Sequence, residues 1–599
     1  MSIARITGTV ALAIAAAPGP LALYVLLTLA AGGMPVVTAW LMKQVLEGIT
    51  GHSSAGELVW IAGFLAGTGI GITVVPVLTR YVRAQLERGI GLLAQERVFT
   101  AVDRLTGLGP FENPAFLDRL RLGQQAGRTT IAQSLDGMLS LGQSLITVVG
   151  FLGSLFLRNH LLAVLVLAAG VPSLWAELAL SGRRAGMTWR LGPTERRELF
   201  YCDLLTSVQA AKEVRLFGIG AFLRARMLAE RRTANAARRS LDRWEVRVQG
   251  GLGLLAAMVA SGGLLWAVEA ARTGTLSIGD VTLFIAAVVG VQGALATFAA
   301  TIGTTHQALL MFDHFAAVAG VEPDLPAGGR PVPPLRHGIE LRDVWFRYAE
   351  NQPWVLRGVN LFIPHGKAVA LVGLNGAGKS TLIKLLCRFH DPVRGSVRWD
   401  GIDLRELDPA GLRARMGAVF QDYMRYDLTA TENIGLGDTE ALDDRPRIEA
   451  AATRAGIHRA LSALPHGYDT LLSRIFFMEA DKDDPETGMT LSGGQWQRLA
   501  LARALLRDRR DLVILDEPSA GLDAEAEHEV HTALRRHRAD RTSLLISHRL
   551  GAVREADLIV VLSDGRIVEQ GVHDALVTAG NEYARLFTLQ ASGYQALAG

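Results

Sequence analysis

Residues 367–381 read KAVALVGLNGAGKST. An apolar run carrying Val369 and Val372 stops at a glycine-rich turn, and the turn opens onto a helical pattern. From Gly373 to Ser380 the turn is G-x-x-x-x-G-K-S in the strand–loop–helix setting that this motif requires. The glycines let backbone amides curl around phosphate oxygens, and the helix N-terminus adds its partial positive charge. Gly373, Asn375, Gly376, Ala377, Gly378 and Thr381 supply the cradle. Lys379 reaches the β- and γ-phosphates, and the Ser380 hydroxyl suits Mg²⁺. A chance glycine turn is set aside by the context and the full pattern.

Downstream, LVILD places Asp516 at the C-terminal end of an apolar strand, with Glu517 next. That end of a parallel sheet faces ligands. Asp516 suits a metal-linked carboxylate and Glu517 a base that orients or deprotonates water. A structural acidic pair is the plainer alternative, and the phosphate loop outweighs it. A second helix opens at Leu491-Ser492-Gly493-Gly494-Gln495. Ser492 is a good cap, and small residues there expose amide donors for an anion. One chain therefore offers two phosphate-reading helix ends and one loop lysine. The economical explanation is that the second end reads the nucleotide of a partner subunit.

Around these motifs, MGAVF (416–420), TSLLIS (542–547) and DLIVVL (557–562) alternate with helical stretches. The alternation predicts an α/β domain at 338–599 with a buried, largely parallel sheet. Before it, EPDLPAGGRPVPPLRH (322–337) carries five prolines and reads as a linker. Residues 1–321 differ in kind. Apolar stretches near 21–42, 58–79, 137–157, 161–180, 248–268 and 281–303 each approach the roughly 20 residues that cross hydrocarbon as a helix. One such run could be a buried core helix; six predict an all-α, six-helix transmembrane domain. Residues 80–130 hold eight Arg and 181–249 hold fifteen Lys plus Arg, so both loops are expected on the cytoplasmic side. They read as polar continuations of the membrane helices into water. The N-terminal GTVALAIAAAPGP has some look of a signal peptide, but its prolines favour an interfacial or membrane-entry helix.

Composition agrees. The chain of 599 residues is 49% hydrophobic and 20% charged, with mean hydropathy +0.24, which excludes a disordered chain. Cys202 and Cys387 exclude a disulfide scaffold. The pI near 8.9 reflects the basic loops of the first half, and no basic, aromatic-interleaved patch points to nucleic acid.

LSGGQ between this phosphate loop and LVILDE resembles the ATP-binding cassette (ABC) family. The fused arrangement resembles an exporter-type half-transporter across essentially the whole chain. The resemblance implies ATP and Mg²⁺ as cofactors. It implies Gln421 of VFQDY as the residue coupling to the membrane domain and touching Mg²⁺, and His548 of LLISHRL as the γ-phosphate contact. Tyr348 of VWFRY corresponds to the aromatic that stacks on adenine, and Asp523 to the aspartate at the dimer interface. Two features depart from the family pattern. Ala520-Gly521-Leu522-Asp523 stands where many members have S-A-L-D. The stretch SRIFFMEADKDDPETGMT, with its acidic insertion at 474–488, is longer than usual and contains Glu486, a candidate for the family's X-loop glutamate.

The expected partners are a second half-transporter subunit, the lipid bilayer and a cargo. With all motifs complete a homodimer is favoured, and a heterodimer also fits. FENPAFLDRL (111–120) and AAKEVRLFG (210–218) sit at coupling-helix positions and look like phrases of bacterial exporters of lantibiotics and other peptide natural products. With about 20 residues ahead of the first span, no peptidase domain is expected there. Span residues are mostly apolar, with amides such as Gln143 and Gln292, which fits an amphipathic or hydrophobic cargo. An exported peptide is the leading expectation. A multidrug or lipid exporter is the alternative, and a non-transport membrane ATPase the more distant one.

Overall fold

The computed structural model describes residues 3–51, 53–157, 160–326, 328–473, 488–507, 510–519, 527, 532, 534, 541–547 and 550–595. It divides into two compact units. One comprises 1–103 and 115–321, the other 104–114 and 322–599.

The first unit is helical. Its elements are α1 (Ile3–Ala16), α2 (Pro18–Thr50), α3 (Ala55–Asp103), α4 (Pro114–Gln125), α5 (Ile131–Phe156), α6 (His160–Thr206), α7 (Val208–Leu216), α8 (Gly220–Arg272) and α9 (Ile278–Ala319). A five-residue π turn at Ala126–Thr130 joins α4 to α5. Pro18 and Pro20 stand at the start of α2, where a missing amide costs nothing, and so separate α1 from it. Among the described residues, five helices are long and apolar enough to cross a membrane: Pro18–Thr50, Ala55–Asp103, Pro114–Phe156, Gly220–Arg272 and Ile278–Ala319. A shorter apolar stretch, His160–Pro172, heads α6. The 53 residues of α8 extend about 80 Å, far beyond ~30 Å of hydrocarbon. The polar continuation is where α6 and α8 pair. Arg184–Glu245, Arg238–Glu195, Arg197–Glu230 and Arg231–Glu198 form rungs of 2.6–3.0 Å between them.

At the far end of the spans, Lys43 is buried and its Nζ lies 2.6 Å from Asp280. Ser277 and Asp280 form a capping box at the start of α9, and the Ser277 hydroxyl donates to Glu47 at 2.6 Å. The charge on Lys43 is tolerable because two carboxylates face it, Asp280 at 2.6 Å and Glu47 at 3.6 Å, and they outweigh the partial positive charge of the nearby α9 N-terminus.

The second unit holds two sheets. β1 (Gly338–Phe346), β2 (Leu356–Pro364), β4 (Arg394–Trp399) and β5 (Ile402–Asp403) form an antiparallel sheet in the order β2-β1-β4-β5. β3 (Ala368–Val372), β6 (Met416–Val419), β7 (Leu512–Asp516), β8 (Thr542–Ile546), β9 (Leu558–Ser563) and β10 (Arg566–Gly571) form the other, ordered β10-β9-β3-β8-β7-β6. Its pairings are parallel except β9 with β10. Every residue of β7 and β8 is buried, as expected of strands covered on both faces. The helix α10 (Lys379–Leu386) follows β3 and shares the core of the strands with α11 (Pro409–Ala414). A helical layer of α12 (Ala430–Gly435), α13 (Arg445–Arg454), α14 (His458–Ser462) and α15 (Gly493–Leu506) buries its own apolar cluster around Trp496 and Tyr468.

The proline-rich stretch 322–337 is packed rather than loose. Leu325, Val332 and Leu335 are buried, and the Trp399 indole N–H donates to the Pro333 carbonyl at 3.0 Å. Arg388, fully buried, donates to the carbonyls of Leu407 at 2.8 Å, Pro326 at 2.7 Å and Arg405 at 3.3 Å, and faces Asp391 at 3.2 Å. Removing that guanidinium strands three carbonyls and a carboxylate. Arg388→Ala is expected to destabilise this unit by about 3–5 kcal/mol, seen as earlier loss of its unfolding transition in urea, with Arg388→Lys recovering only part.

Candidate nucleotide site

Strand order decides what meets at the C-terminal edge of the parallel sheet. The neighbours β3, β8, β7 and β6 end respectively at the glycine-rich loop, at Ser547, at Asp516 and just before Gln421. There a cavity of about 310 Å³ is lined by Asn375, Gly376, Gly378, Lys379, Ser380 and Thr381 of the loop, together with Val355, Gln421, Asp516 and Glu517. Of the three positive-φ loop glycines, Gly376 and Gly378 serve different ends. Gly378 (φ 107°) must lack a Cβ because one would press on Leu356 Cδ2 at 2.7 Å, whereas Gly376 (φ 82°) faces open space.

Lys379 is buried, and its Nζ donates to the carbonyls of Gly373 at 2.7 Å and Leu374 at 3.0 Å. Burial pulls this ammonium below the usual lysine range, against the opposing pull of Glu517 and Asp516. Burial pushes the Asp516 carboxyl up to about 6, the Glu517 charge adds to this, and Lys379 resists it. Glu517 sits in the left-handed region at φ 51°, a conformation costing about 1–3 kcal/mol in a non-glycine residue. Its amide bonds the Ile546 carbonyl at 2.9 Å, and Gln421 Nε2 donates to its Oε2 at 3.2 Å. An amide cradle, a lysine, a hydroxyl and two crowded carboxylates on one cavity are the donor set a triphosphate and a hard divalent cation require.

Tyr348 lies beside the loop rather than in the cavity lining. Its hydroxyl is 3.0 Å from Thr381 Oγ1, and its ring meets Phe346 and His390 edge-on. Ser492 caps α15 in a reciprocal box with Gln495, at 2.8 and 3.3 Å. Ser492 and Gly493 are exposed, and the four residues Ser492, Gly493, Gly494 and Gln495 do not line the cavity. His548, Asp523, Glu486 and residues 474–487 of the insertion lie outside the described residues. Two contributors escaped the sequence reading. Gln497 Nε2 donates to the Glu517 carbonyl at 3.2 Å, and the Tyr423 hydroxyl donates to the Gly493 carbonyl at 3.2 Å. A second amide, two residues after Gln495 and just ahead of the apolar run LALARALL, was the available signal for the first.

Segment 104–114 packs within this same unit. The Gly107 amide donates to Asp324 at 3.0 Å and the Leu108 amide to the Phe389 carbonyl at 2.9 Å. Glu112 pairs with Lys384 Nζ at 2.6 Å and lies 3.0 Å from His390 Nε2. The docked residues thus precede most of FENPAFLDRL, whose later part already belongs to α4.

The profile of the ABC transporter family matches residues 356–520. An ATP-dependent lipid A-core flippase of Alkalilimnicola ehrlichii is 32% identical over 580 residues, covering 95% of this chain and 94% of that protein. The chain is an ABC transporter. A mitochondrial potassium channel ATP-binding subunit of Xenopus tropicalis is 41% identical over 318 residues, 53% of this chain, and this transporter spans only 44% of that protein's length. A solved structure of a bacterial Atm1-family ABC exporter with ATP bound shares the fold, with TM-score 0.78 and 23% identity over 96% of this chain and 99% of that one. This ABC transporter is therefore an exporter-type half-transporter, a multi-pass membrane ATPase that uses ATP and Mg²⁺.

The Asp516 carboxylate can ligate a cation only when deprotonated. Mg²⁺-dependent nucleotide affinity is expected to hold near pH 7.5 and to fall by about tenfold per unit below pH about 6. Titrations of the full chain with a fluorescent nucleotide, with and without Mg²⁺, check this, and Asp516→Asn should flatten the profile.

Proposed function

We propose that two copies of this chain form an exporter that moves a lipid-like amphiphile across the cytoplasmic membrane by alternating access. The observation that carries the cargo class is full-length likeness. Lipid A-core flippases of Alkalilimnicola ehrlichii and Chromohalobacter salexigens match 95% and 92% of the chain, at 32% and 28% identity. The peptide reading rests on two short phrases, whereas this likeness spans both units. Residues 1–321 serve as membrane domain, 322–337 as connection and 338–599 as nucleotide-binding domain. The basic extensions, the N-terminus and the ATPase domain lie on the cytoplasmic side.

In this reading the amides of 375–381 enclose the phosphates, and Lys379 swings its Nζ from the Gly373 and Leu374 carbonyls onto them. Ser380, Asp516 and Gln421 hold Mg²⁺, which screens the charge of the transferred phosphoryl group when bound. Glu517, released from Gln421, orients a water and takes its proton as the oxygen attacks the γ-phosphorus and ADP leaves. Tyr348 stacks on adenine and His548 contacts the γ-phosphate. Asp523 lies at the subunit interface, where the exposed Ser492–Gln495 helix start reads the partner's nucleotide. A patch at Leu216, Phe217 and Phe222, 55–78% exposed, supports the dimer, because apolar clusters of that kind ask for cover. Closing the two nucleotide sites pulls the membrane helices toward an outward-open arrangement, and hydrolysis releases them.

Glu517→Gln is expected to keep ATP binding while phosphate release drops by about 10²–10⁴-fold; undiminished hydrolysis would remove Glu517 as the base. For the cargo, the purified transporter in proteoliposomes should show lipid-stimulated ATPase and ATP-dependent movement of a fluorescent lipid between leaflets. Peptide uptake into the same vesicles without lipid movement would sink the lipid reading.

A further inference from the structure

The rungs between α6 and α8 leave a gap. Going outward from the spans, the first rung is Arg184–Glu245 and the next is Arg238–Glu195. Between them opens a cleft of about 360 Å³, large enough for a small-molecule ligand. Arg183, Met187 and Arg190 line it from α6, and Ser240, Leu241 and Trp244 from α8. On α6 the spacing is i, i+4, i+7, so two arginines flank a thioether on a single helical stripe. On α8 the spacing is i, i+1, i+4, which puts a hydroxyl beside a leucine and an indole.

The charge of this cleft is one-sided, because its lining contains two guanidinium groups and no carboxylate. Each nearby glutamate is already engaged elsewhere: Glu245 by Arg184, Glu195 by Arg238, Glu198 by Arg231 and Glu230 by Arg197. Arg183 lies flat on the Trp244 ring, 4.0 Å from its centroid, and a stacked guanidinium keeps its N–H edge for an acceptor. Arg190 Nε donates to the Gly186 carbonyl at 3.3 Å, which leaves its terminal nitrogens for the cleft. Two positive donors beside Met187, Leu241 and Trp244 ask for a ligand with an anionic head and an apolar body.

Position says where that ligand comes from. Arg183 follows the predicted span 161–180 by three residues, and Trp244 precedes the span 248–268 by four. At 1.5 Å per residue Arg183 and Trp244 lie about 5–6 Å beyond the hydrocarbon edge, the depth of lipid headgroups where indoles gather. Arg190 and Ser240, ten and eight residues out, lie about 15 and about 12 Å beyond it, so the cleft runs from the headgroup level outward. Basic pockets between membrane helices at that depth take anionic headgroups.

We propose that the α6–α8 cleft binds a membrane amphiphile bearing an anionic phosphate headgroup. The phosphate bridges Arg183 and Arg190 and accepts from the Ser240 hydroxyl, and the first apolar carbons lie on Trp244 and Leu241. The site is distinct from the nucleotide cavity, and it does not depend on which cargo is moved, because occupancy is read by binding and export by flux.

The test is lipid retention by the full chain, purified from detergent containing equal phosphatidylglycerol and phosphatidylcholine, read by native mass spectrometry. Wild type should retain phosphatidylglycerol, and the double variant Arg183→Gln/Arg190→Gln should bind it at least about tenfold more weakly. Ser240→Asp is the second variant. It places a carboxylate between the arginines, so the helix pair stays held while the headgroup is repelled, and it should lose the lipid with an unchanged melting profile. Arg239→Gln, on α8 but outside the lining, should retain the lipid as wild type does. Lysophosphatidylglycerol should displace bound lipid at concentrations where inorganic phosphate does not. Equal retention by all variants, equal retention of phosphatidylcholine, a loss in Arg239→Gln matching the double variant, or full displacement by inorganic phosphate would each overturn the proposal. Retained lipid without lipid flux would count against the export reading alone.

Discussion

Helix α10 is the element on which the second unit turns. Its eight residues span only about 12 Å, and both ends are committed. The N-terminal end emerges from Gly378 with its amides toward the cavity. The C-terminal end runs into Arg388 in the left-handed region at φ 48°, where the guanidinium gathers three carbonyls from the packed connection and the β5-side loop. Beside it, the Phe389 carbonyl accepts from Leu108, and Lys384 holds Glu112. A helix this short, its inner face buried, cannot bend between its ends. One short helix therefore joins the phosphate loop to the contacts that hold segment 104–114, which is continuous in sequence with α3 and α4.

Tyr348 adds a second thread to the same strut. Its hydroxyl meets Thr381 at one turn of α10, and Lys384 Nζ lies 3.4 Å from it one turn later. Lys384 thus touches both the aromatic beside the loop and the carboxylate of Glu112. The sheet edge is electrostatically loaded in a complementary sense. Asp516 is held near 6 by burial and by Glu517, and Lys379 is turned back onto carbonyls. In the proposed mechanism a cation and phosphates bound here would relieve both penalties, so the pair would be favoured over either component alone.

What the sequence reveals follows from how local each constraint is. The strand–loop–helix at 367–381 and the strand end at Asp516 are legible because the signal and the structure occupy the same fifteen residues. The Ser492 cap is legible for the same reason, since cap and box partner stand three residues apart. The connection at 322–337 reads as loose because its prolines are visible and its anchors are not. Arg388, Trp399 and Arg415 lie roughly 60 to 80 residues away and bond its carbonyls, while Asp400 and Asp511 accept from its amides. The antiparallel sheet of β1, β2, β4 and β5 was hidden likewise, its pairing being non-local. Gln497 and Tyr423 show the same limit, since neither belongs to a motif and each acts only by reaching a neighbouring backbone.

The helical unit poses the converse problem, because its long polar extensions have little apolar surface to bury against each other. A single exposed Arg–Glu pair contributes at most about 1 kcal/mol, too little to hold two helices that leave the membrane side by side. Four rungs in series share one cost in side-chain ordering and fix a common register, which is where surface ion pairs gain weight. A ladder of that kind is most informative where it is interrupted. Between Glu245 and Glu195 α6 supplies Arg190, whereas the residues of α8 that face the cleft include serine, leucine and tryptophan, and Asp242 does not line it. Arg183 and Arg190, two turns apart on α6, have no ion-pair partner among the described residues, and an anion between them would complete the ladder there. The missing rung is best understood as one the membrane itself provides.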